Sequence, residues 1–277
     1  MKIGVVAASS RFPAEVRERI TAFAAERYPA VELVFHPACH AVSGHFAGED
    51  RARLEALLAL ANDPAIDALW FGRGGYGSNR IAEAAVERLS PAARNKPFLG
   101  YSDAGFVLAA LYRAGFPRLF HGPMANDLLR PGGEAAAARA LDWLTRGDPA
   151  ALEPHLDGRP TAAFNLTVLS SLMGTPLEPD LAGHVLMLED VSEPLYRTDR
   201  SLFHLMSQAS LRDLAGVRLG RWNDITANDP DFGLSEQQIA RFWCDRAGIA
   251  FLGEADIGHD ADNKVVPFGR SAVPVAR

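Results

Sequence analysis

The chain has 277 residues, 48% of them hydrophobic, with a net charge of −6 and two cysteines. The length exceeds one average domain and falls short of two large ones, and the apolar share supplies a sizeable core. An acidic balance without a basic stripe excludes a nucleic-acid footprint, no apolar run approaches the roughly 20 residues that cross a bilayer, and two thiols, Cys39 and Cys244, fit a reducing, cytoplasmic setting better than a disulfide scaffold.

The opening "KIGVVAA", residues 2–8, reads as a strand, its apolar run being too short for a secretory leader. A helix follows over 13–28, with proline at its start and apolar residues at helical spacing. Strands over 31–35, 66–72, 96–102 and 118–123 then alternate with helices over 49–62, 78–89, 103–115 and 133–147. Such alternation implies parallel strands joined by right-handed crossovers. The fold class expected is α/β, with an N-terminal doubly wound, mostly parallel, Rossmann-like sheet over 1–148. Proline, glycine and charge in "RGDPAALEPHLDGRPTA" mark a linker, placed at 149–164. Beyond it, over 165–277, the pattern is less regular: a strand at 184–190, a helix at 196–209, a strand at 215–222, a helix at 235–248 and closing strands at 249–255 and 264–269. This second part is expected as a smaller α+β domain.

Residues Gly72 to Gly77, "GRGGYG", have the G-x-G-x-x-G spacing of a dinucleotide site. Such a site occupies the first strand-to-helix turn, with an acidic residue about 20 positions on. Here the loop follows the third strand, Ala92 stands where the acid should be, and the first turn, "AASSRFP", has no glycine. Both tests fail, and no cofactor is expected. What remains is a glycine turn at the carboxyl end of a parallel strand, where open α/β sheets bind ligands. Its bare N–H groups suit a phosphate or the oxyanion of an acyl transfer, or they serve only a tight turn. At the next strand end, "LGYSD" puts Ser102 where strand gives way to helix. There it is a nucleophile on a sharp turn, without the second glycine of a G-x-S-x-G elbow because Ala104 stands in its place, or else Ser102 or Asp103 is a helix N-cap. A serine nucleophile also needs a base, and the base an orienting group.

The stretch "HPACHAVSGH" gathers His36, Cys39, His40 and His45, but their spacing fits no structural zinc pattern and no metal is expected. In "YRTDR", Arg197 and Arg200 lie three apart on a helix; an arginine can hold a substrate carboxylate, and a surface ion pair is expected for at least one of them.

Several motifs then occur together: "RGGYGSNRI", "LGYSD", "HGPM", "NLTVLSSLMGTPLEPD", "LEDVSEPLYRTDR" and "IGHDADNKVVPFG". In this order, over nearly the whole chain, they resemble the serine LD-carboxypeptidases, that is, the muramoyltetrapeptide carboxypeptidases and their microcin-immunity relatives. The resemblance implies a metal-free Ser–Glu–His triad across two domains: Ser102 as nucleophile, His259 of "IGHD" as base and then acid, and Glu189 of "LMLED" as the residue orienting it. Glu193 competes for the last role, but a triad needs its acid on a rigid element, which favours the strand residue. The resemblance also implies an oxyanion hole from the backbone N–H groups of Gly75 and Asp103. Arg73, Tyr76 and Arg200 are expected on the substrate. The activity implied is removal of the terminal D-Ala from a murein tetrapeptide by cleavage of an L,D bond, in peptidoglycan recycling, by a cytoplasmic homodimer. The alternatives are a carboxypeptidase or amidase that detoxifies a microcin-type peptidyl-nucleotide, and a catalytically silent peptide-binding relative. Three positions depart from the family pattern: Asp260 stands for the usual glycine, Asp262 for proline, and Phe164 for the glycine before "NLTVL". Asp260 would raise the pKa of His259 or point into solvent, and Phe164 would narrow a pocket at the following helix start.

Overall fold

Strand–helix alternation in each half produces a parallel sheet in the computed structural model, which describes residues 1–270. Residues 271–277 of the second expected domain lie outside the described residues. The first half runs β1 (Lys2–Val6), α1 (Ala14–Arg27), β2 (Glu32–Phe35), α2 (Asp50–Asn62), β3 (Ala68–Phe71), α3 (Asn79–Arg88), β4 (Phe98–Gly100), α4 (Gly105–Arg113), β5 (Leu119–His121) and α5 (Gly133–Arg146). The second runs β6 (Thr161–Asn165), α6 (Leu166–Leu172), β7 (Val185–Val191), α7 (Leu195–Met206), β8 (Gly216–Asn223), α8 (Glu236–Ala247), β9 (Phe251–Glu254) and β10 (Val266–Pro267).

The first sheet has the order β10-β5-β4-β3-β1-β2, and the neighbours β2 through β5 are parallel. Its central strands are continuous apolar runs because helices cover both faces; all four residues of β3, "ALWF", are buried. The strand order reverses between β1 and β3, and ligands bind such sheets outside the carboxyl ends beside that switch point. The glycine loop leaves β3 at that end, and Ser102 leaves β4 beside it.

The second sheet, β6-β7-β8-β9, is parallel throughout, with α6, α7 and α8 in its crossovers. Two boundaries differ from those read in the sequence. Residues 161–164, placed in the linker, form most of β6, which is buried along its length and pairs Thr161 with Val185. The prolines and glycine that signal a linker end at Pro160, and the four-residue apolar run after it carries too little pattern to separate from them. The last strand returns to the first sheet, where β10 runs antiparallel to β5 with Val266 opposite His121. It is the edge strand of that sheet, the place where Pro267 can do without an N–H.

One apolar core joins the halves, with Phe106 and Val107 of α4, Leu166 and Leu169 of α6, and Phe164 and Phe268 in a single buried cluster. Phe164 therefore does not narrow a pocket. Its ring is 1% exposed, meets the Phe268 ring at 5.2 Å and packs over Gly105.

Candidate active site

Ser102 is one of three non-glycine residues with positive φ among those described, at +56°. A left-handed serine at a strand-to-helix turn is strained, and such strain persists where the surroundings enforce it. Here they do so through close backbone approach. A Cβ on Gly74 would lie 2.8 Å from Ser102 Oγ and 2.9 Å from its Cβ, so only glycine lets the loop touch the serine. Gly75, the next residue, has φ +107°.

The N-cap alternative for Ser102 or Asp103 does not hold, since the helix start at Ala104 has no side-chain cap. The Asp103 carboxylate instead accepts hydrogen bonds from Ser9 Oγ and, at 2.8 Å, from the Ser78 N–H, while Ser78 Oγ donates to the Asp103 carbonyl. One buried acid thus ties together the turn after β1, the end of the glycine loop and the serine turn. This fixes the peptide that carries the Asp103 N–H.

His259 and Glu189 come from the second half. Glu189 lies in β7 and is fully buried. Its Oε2 accepts from His259 Nδ1, and His259 Nε2 lies 3.1 Å from Ser102 Oγ. A carboxylate only accepts, so Nδ1 carries the proton and Nε2 is free to accept from the serine hydroxyl. Burial pulls the His259 pKa down, but the charge and hydrogen bond of Glu189 outweigh it and hold the imidazole above its usual 6.5. The loop bearing His259 is pinned at its backbone: His259 N–H donates to Asn223 Oδ1 at 2.7 Å and Gly258 N–H to Asn263 Oδ1 at 3.2 Å. The Tyr101 ring packs 4.8 Å from the imidazole, and its hydroxyl donates to Asp127 Oδ1 at 2.9 Å, which Arg130 Nε also meets at 2.8 Å. Glu193, the competing acid, pairs with Arg197 at 3.2 Å instead of reaching the histidine.

Asp260 takes neither course expected of it. Burial pushes its carboxyl up, yet Arg221, at 2.8 Å from Nη2, and Asn223, at 3.1 Å, hold it below the ordinary carboxylate value. Asp262 is exposed. Tyr76 is half-exposed and lines the cleft beside Ser102, whereas Arg73 donates to the Arg11 carbonyl at 3.2 Å and is not part of that wall. Arg200 also lies off the cleft, exposed and 5.6 Å over the Tyr196 ring. Helical spacing set Arg197 and Arg200 side by side but carried no sign of where that face would point. The His/Cys stretch is dispersed: Cys39 is buried with its Sγ on the Val5 carbonyl, His40 bonds the Phe12 carbonyl, His36 caps a turn, and His45 meets Ser10. Asp127, Asn223, Asn263 and Asp190 escape sequence reasoning because each acts through a partner distant in sequence, and Arg130 because it acts through Asp127. Tyr101, Asp190 and Asn263 lay inside the motifs "LGYSD", "LEDVSEPLYRTDR" and "IGHDADNKVVPFG", which carried no sign of their contacts.

The cleft next to Ser102 holds about 410 Å³ between the glycine loop, the start of α6 and the end of β7.

Residues 3–122 match the model of the LD-carboxypeptidase N-terminal domain, and residues 160–273 that of the C-terminal domain. The murein tetrapeptide carboxypeptidase of Pseudomonas aeruginosa is 32% identical over 83% of this chain and 79% of its own length. The crystal structure of muramoyltetrapeptide carboxypeptidase from Oxalobacter formigenes superposes with a TM-score of 0.82 at 23% identity, covering 97% of this chain and 93% of that one. The microcin C7 self-immunity protein MccF superposes at 0.79 and 17% identity, over 97% and 91%, which establishes a shared fold. Two matched domain models and a relative aligned over most of both chains lead to one conclusion: this chain belongs to the LD-carboxypeptidase family of serine-type hydrolases.

Proposed function

We propose that the chain removes the terminal D-Ala from a murein tetrapeptide, with Ser102, His259 and Glu189 as a metal-independent triad. The observation that carries this reading is the continuous hydrogen-bonded path from Ser102 Oγ through His259 to Glu189, joining a turn of one sheet to a strand of the other. A serine hydroxyl is too weak a nucleophile alone, and a neutral imidazole in contact with it supplies the base. Ser102 Oγ attacks the carbonyl carbon of the scissile amide as its proton passes to His259 Nε2. The carbonyl oxygen becomes an oxyanion, received by the N–H groups of Gly75 and Asp103, each donor being worth roughly 3 kcal/mol in the transition state. Collapse breaks the C–N bond, and His259 gives its proton to the departing amine of D-Ala. Water then attacks the Ser102 ester, passing a proton to His259, which returns it to Ser102 Oγ as the carboxylate product leaves. Glu189 stays ionised throughout and holds the imidazolium.

Peptidoglycan recycling in the cytoplasm and a homodimeric state belong to the same reading. So does a division into an N-terminal domain with the serine and glycine loop and a C-terminal domain with the acid and base. Mass spectrometry of a disaccharide-tetrapeptide and of free tetrapeptide tests the chemistry, with wild type and Ser102→Ala, with and without EDTA. Loss of one D-Ala, abolished by the substitution and indifferent to EDTA, is expected. Cleavage that survives Ser102→Ala would overturn the mechanism.

A further inference from the structure

The cleft beside Ser102 has one sign of charge. The ionisable side chains lining it are Asp103, Asp190, Glu193 and Tyr76, and no lysine, arginine or histidine lines it among the described residues. Asp103 is committed to Ser9 and Ser78. The other two acids have capacity left. Consecutive residues of β7 face opposite sides of the sheet, so Glu189 and Asp190 serve different partners, and the pairing with β8 shifts register between them. Glu189 holds His259, and Asp190 turns to the wall of the cleft. Asp190 Oδ1 accepts from Asn165 Nδ2 at 2.8 Å and from the Val191 N–H at 2.9 Å, while Oδ2 has only a long contact, 3.3 Å, with Thr167 Oγ1. Glu193 presents Oε2 to the exposed Arg197 at 3.2 Å. Burial and the neighbouring Glu189 charge push the Asp190 carboxyl up to about 7, so its ionised form is held at a cost to the fold. A costly acid lining the reaction cleft points to a ligand that repays it.

The chemistry of that ligand follows from the substrate reading above, on which this inference rests. A peptide that loses its C-terminal residue carries a carboxylate on the leaving side, and an acidic wall repels it. The acidic wall therefore serves the acyl side. In a murein tetrapeptide the residue there is a diamino acid, whose side chain carries an ammonium at its far end. We propose that Asp190 and Glu193 form the subsite that receives this ammonium, which makes them specificity-determining residues of the reaction.

The test uses two tetrapeptides with lysine or norleucine before the terminal D-Ala; norleucine keeps the aliphatic stem and removes the charge. D-Ala release gives kcat/KM for wild type, Glu193→Gln, Asp190→Asn and the variant carrying both changes, and calorimetry on Ser102→Ala, alone and with each change, gives Kd. Thermal melts confirm that each variant is folded. Wild type is expected to prefer the lysine peptide at least about tenfold, as a desolvated charge pair does, with the ratio collapsing towards one when both acids are neutralised. Equal treatment of the two peptides by wild type, or a ratio unchanged in both variants, overturns the subsite. Release of D-Ala from both at equal rates leaves the reaction standing without it. Preferential binding of the lysine peptide by Ser102→Ala, lost with Glu193→Gln, supports the subsite even if wild type releases no D-Ala, in which case the reading of the reaction is what falls. Binding of neither peptide overturns both.

Discussion

Asp190→Asn should make the protein more stable at neutral and alkaline pH. The folded state moves the Asp190 carboxyl from 3.8 to about 7, first through burial and then through the charge of Glu189. An acid whose folded pKa is raised costs the fold nothing below its unfolded value and progressively more as pH rises through the folded one. Over that interval the folded state binds the extra proton and stability falls with pH. At 1.36 kcal/mol per pH unit the ceiling of the penalty at pH 8 is roughly 4 kcal/mol. Asparagine keeps the shape and the bonds: its oxygen still accepts from Asn165 and Val191, and its amide can donate to Thr167 Oγ1. A gain of about 2 kcal/mol at pH 8, shrinking to near zero by pH 4, is therefore the working expectation. Urea unfolding of wild type and variant at pH 4, 6 and 8 measures it. A variant less stable at pH 8, or a gain of the same size at every pH, would refute the reasoning, because only a titrating group produces that slope.

Three further outcomes follow from the site. Glu189→Gln leaves the fold intact and frees the imidazole to take the wrong tautomer, so kcat should fall by about 10⁴. The acid limb of the residual pH–rate profile, followed by D-Ala release, should move to lower pH because Glu189 is what raises His259. Gly74→Ala places a methyl 2.8 Å from Ser102 Oγ, and displacing the serine should cost about a hundredfold or more in kcat with a smaller effect on melting temperature. His121 is buried against Asn263 with its pKa pulled from 6.5 down to about 4, first by burial. A base with a depressed folded pKa stabilises fully above 6.5 and loses that contribution as pH falls towards 4. The stability gap between wild type and His121→Gln, read by urea unfolding, should therefore narrow by roughly 3 kcal/mol between pH 7 and pH 4.

The first sheet was legible because its strands are short apolar runs between helices with clear apolar faces, and that pattern is local. The register and the return of β10 were not, since pairing Val266 with His121 joins residues far apart in sequence and leaves only a two-residue strand as its mark. Glu189 and His259 could be singled out only through the motifs around them. Nothing about a buried glutamate in "LMLED" announces that it faces a histidine seventy residues later. The proline and glycine up to Pro160 described the approach to β6 but hid its start. Arg200 shows the opposite limit, because spacing fixed its neighbours on α7 while the direction of that face is set by Thr198, Leu202 and Leu205 packing inward.

In the proposed mechanism the nucleophile follows β4 of the first sheet and its base sits in the loop after β9 of the second, so the working geometry depends on the apolar contact between the halves as much as on the polar groups at its rim. Ser102 is held from the first half by Gly74 and by the Asp103 clamp, and His259 from the second by Glu189 and Asn223. The Tyr101 ring crosses that division to lie against the imidazole. Two preformed halves meeting at a 3.1 Å hydrogen bond tolerate little relative shift, since catalysis by a general base decays steeply with misplacement. In the proposed mechanism the cluster that packs α4 against α6 beneath the site therefore helps hold the catalytic geometry. On the same reading the substrate enters at the seam between the two mostly parallel sheets, where the serine turn and the acidic wall of the second half lie on facing sides of one cleft.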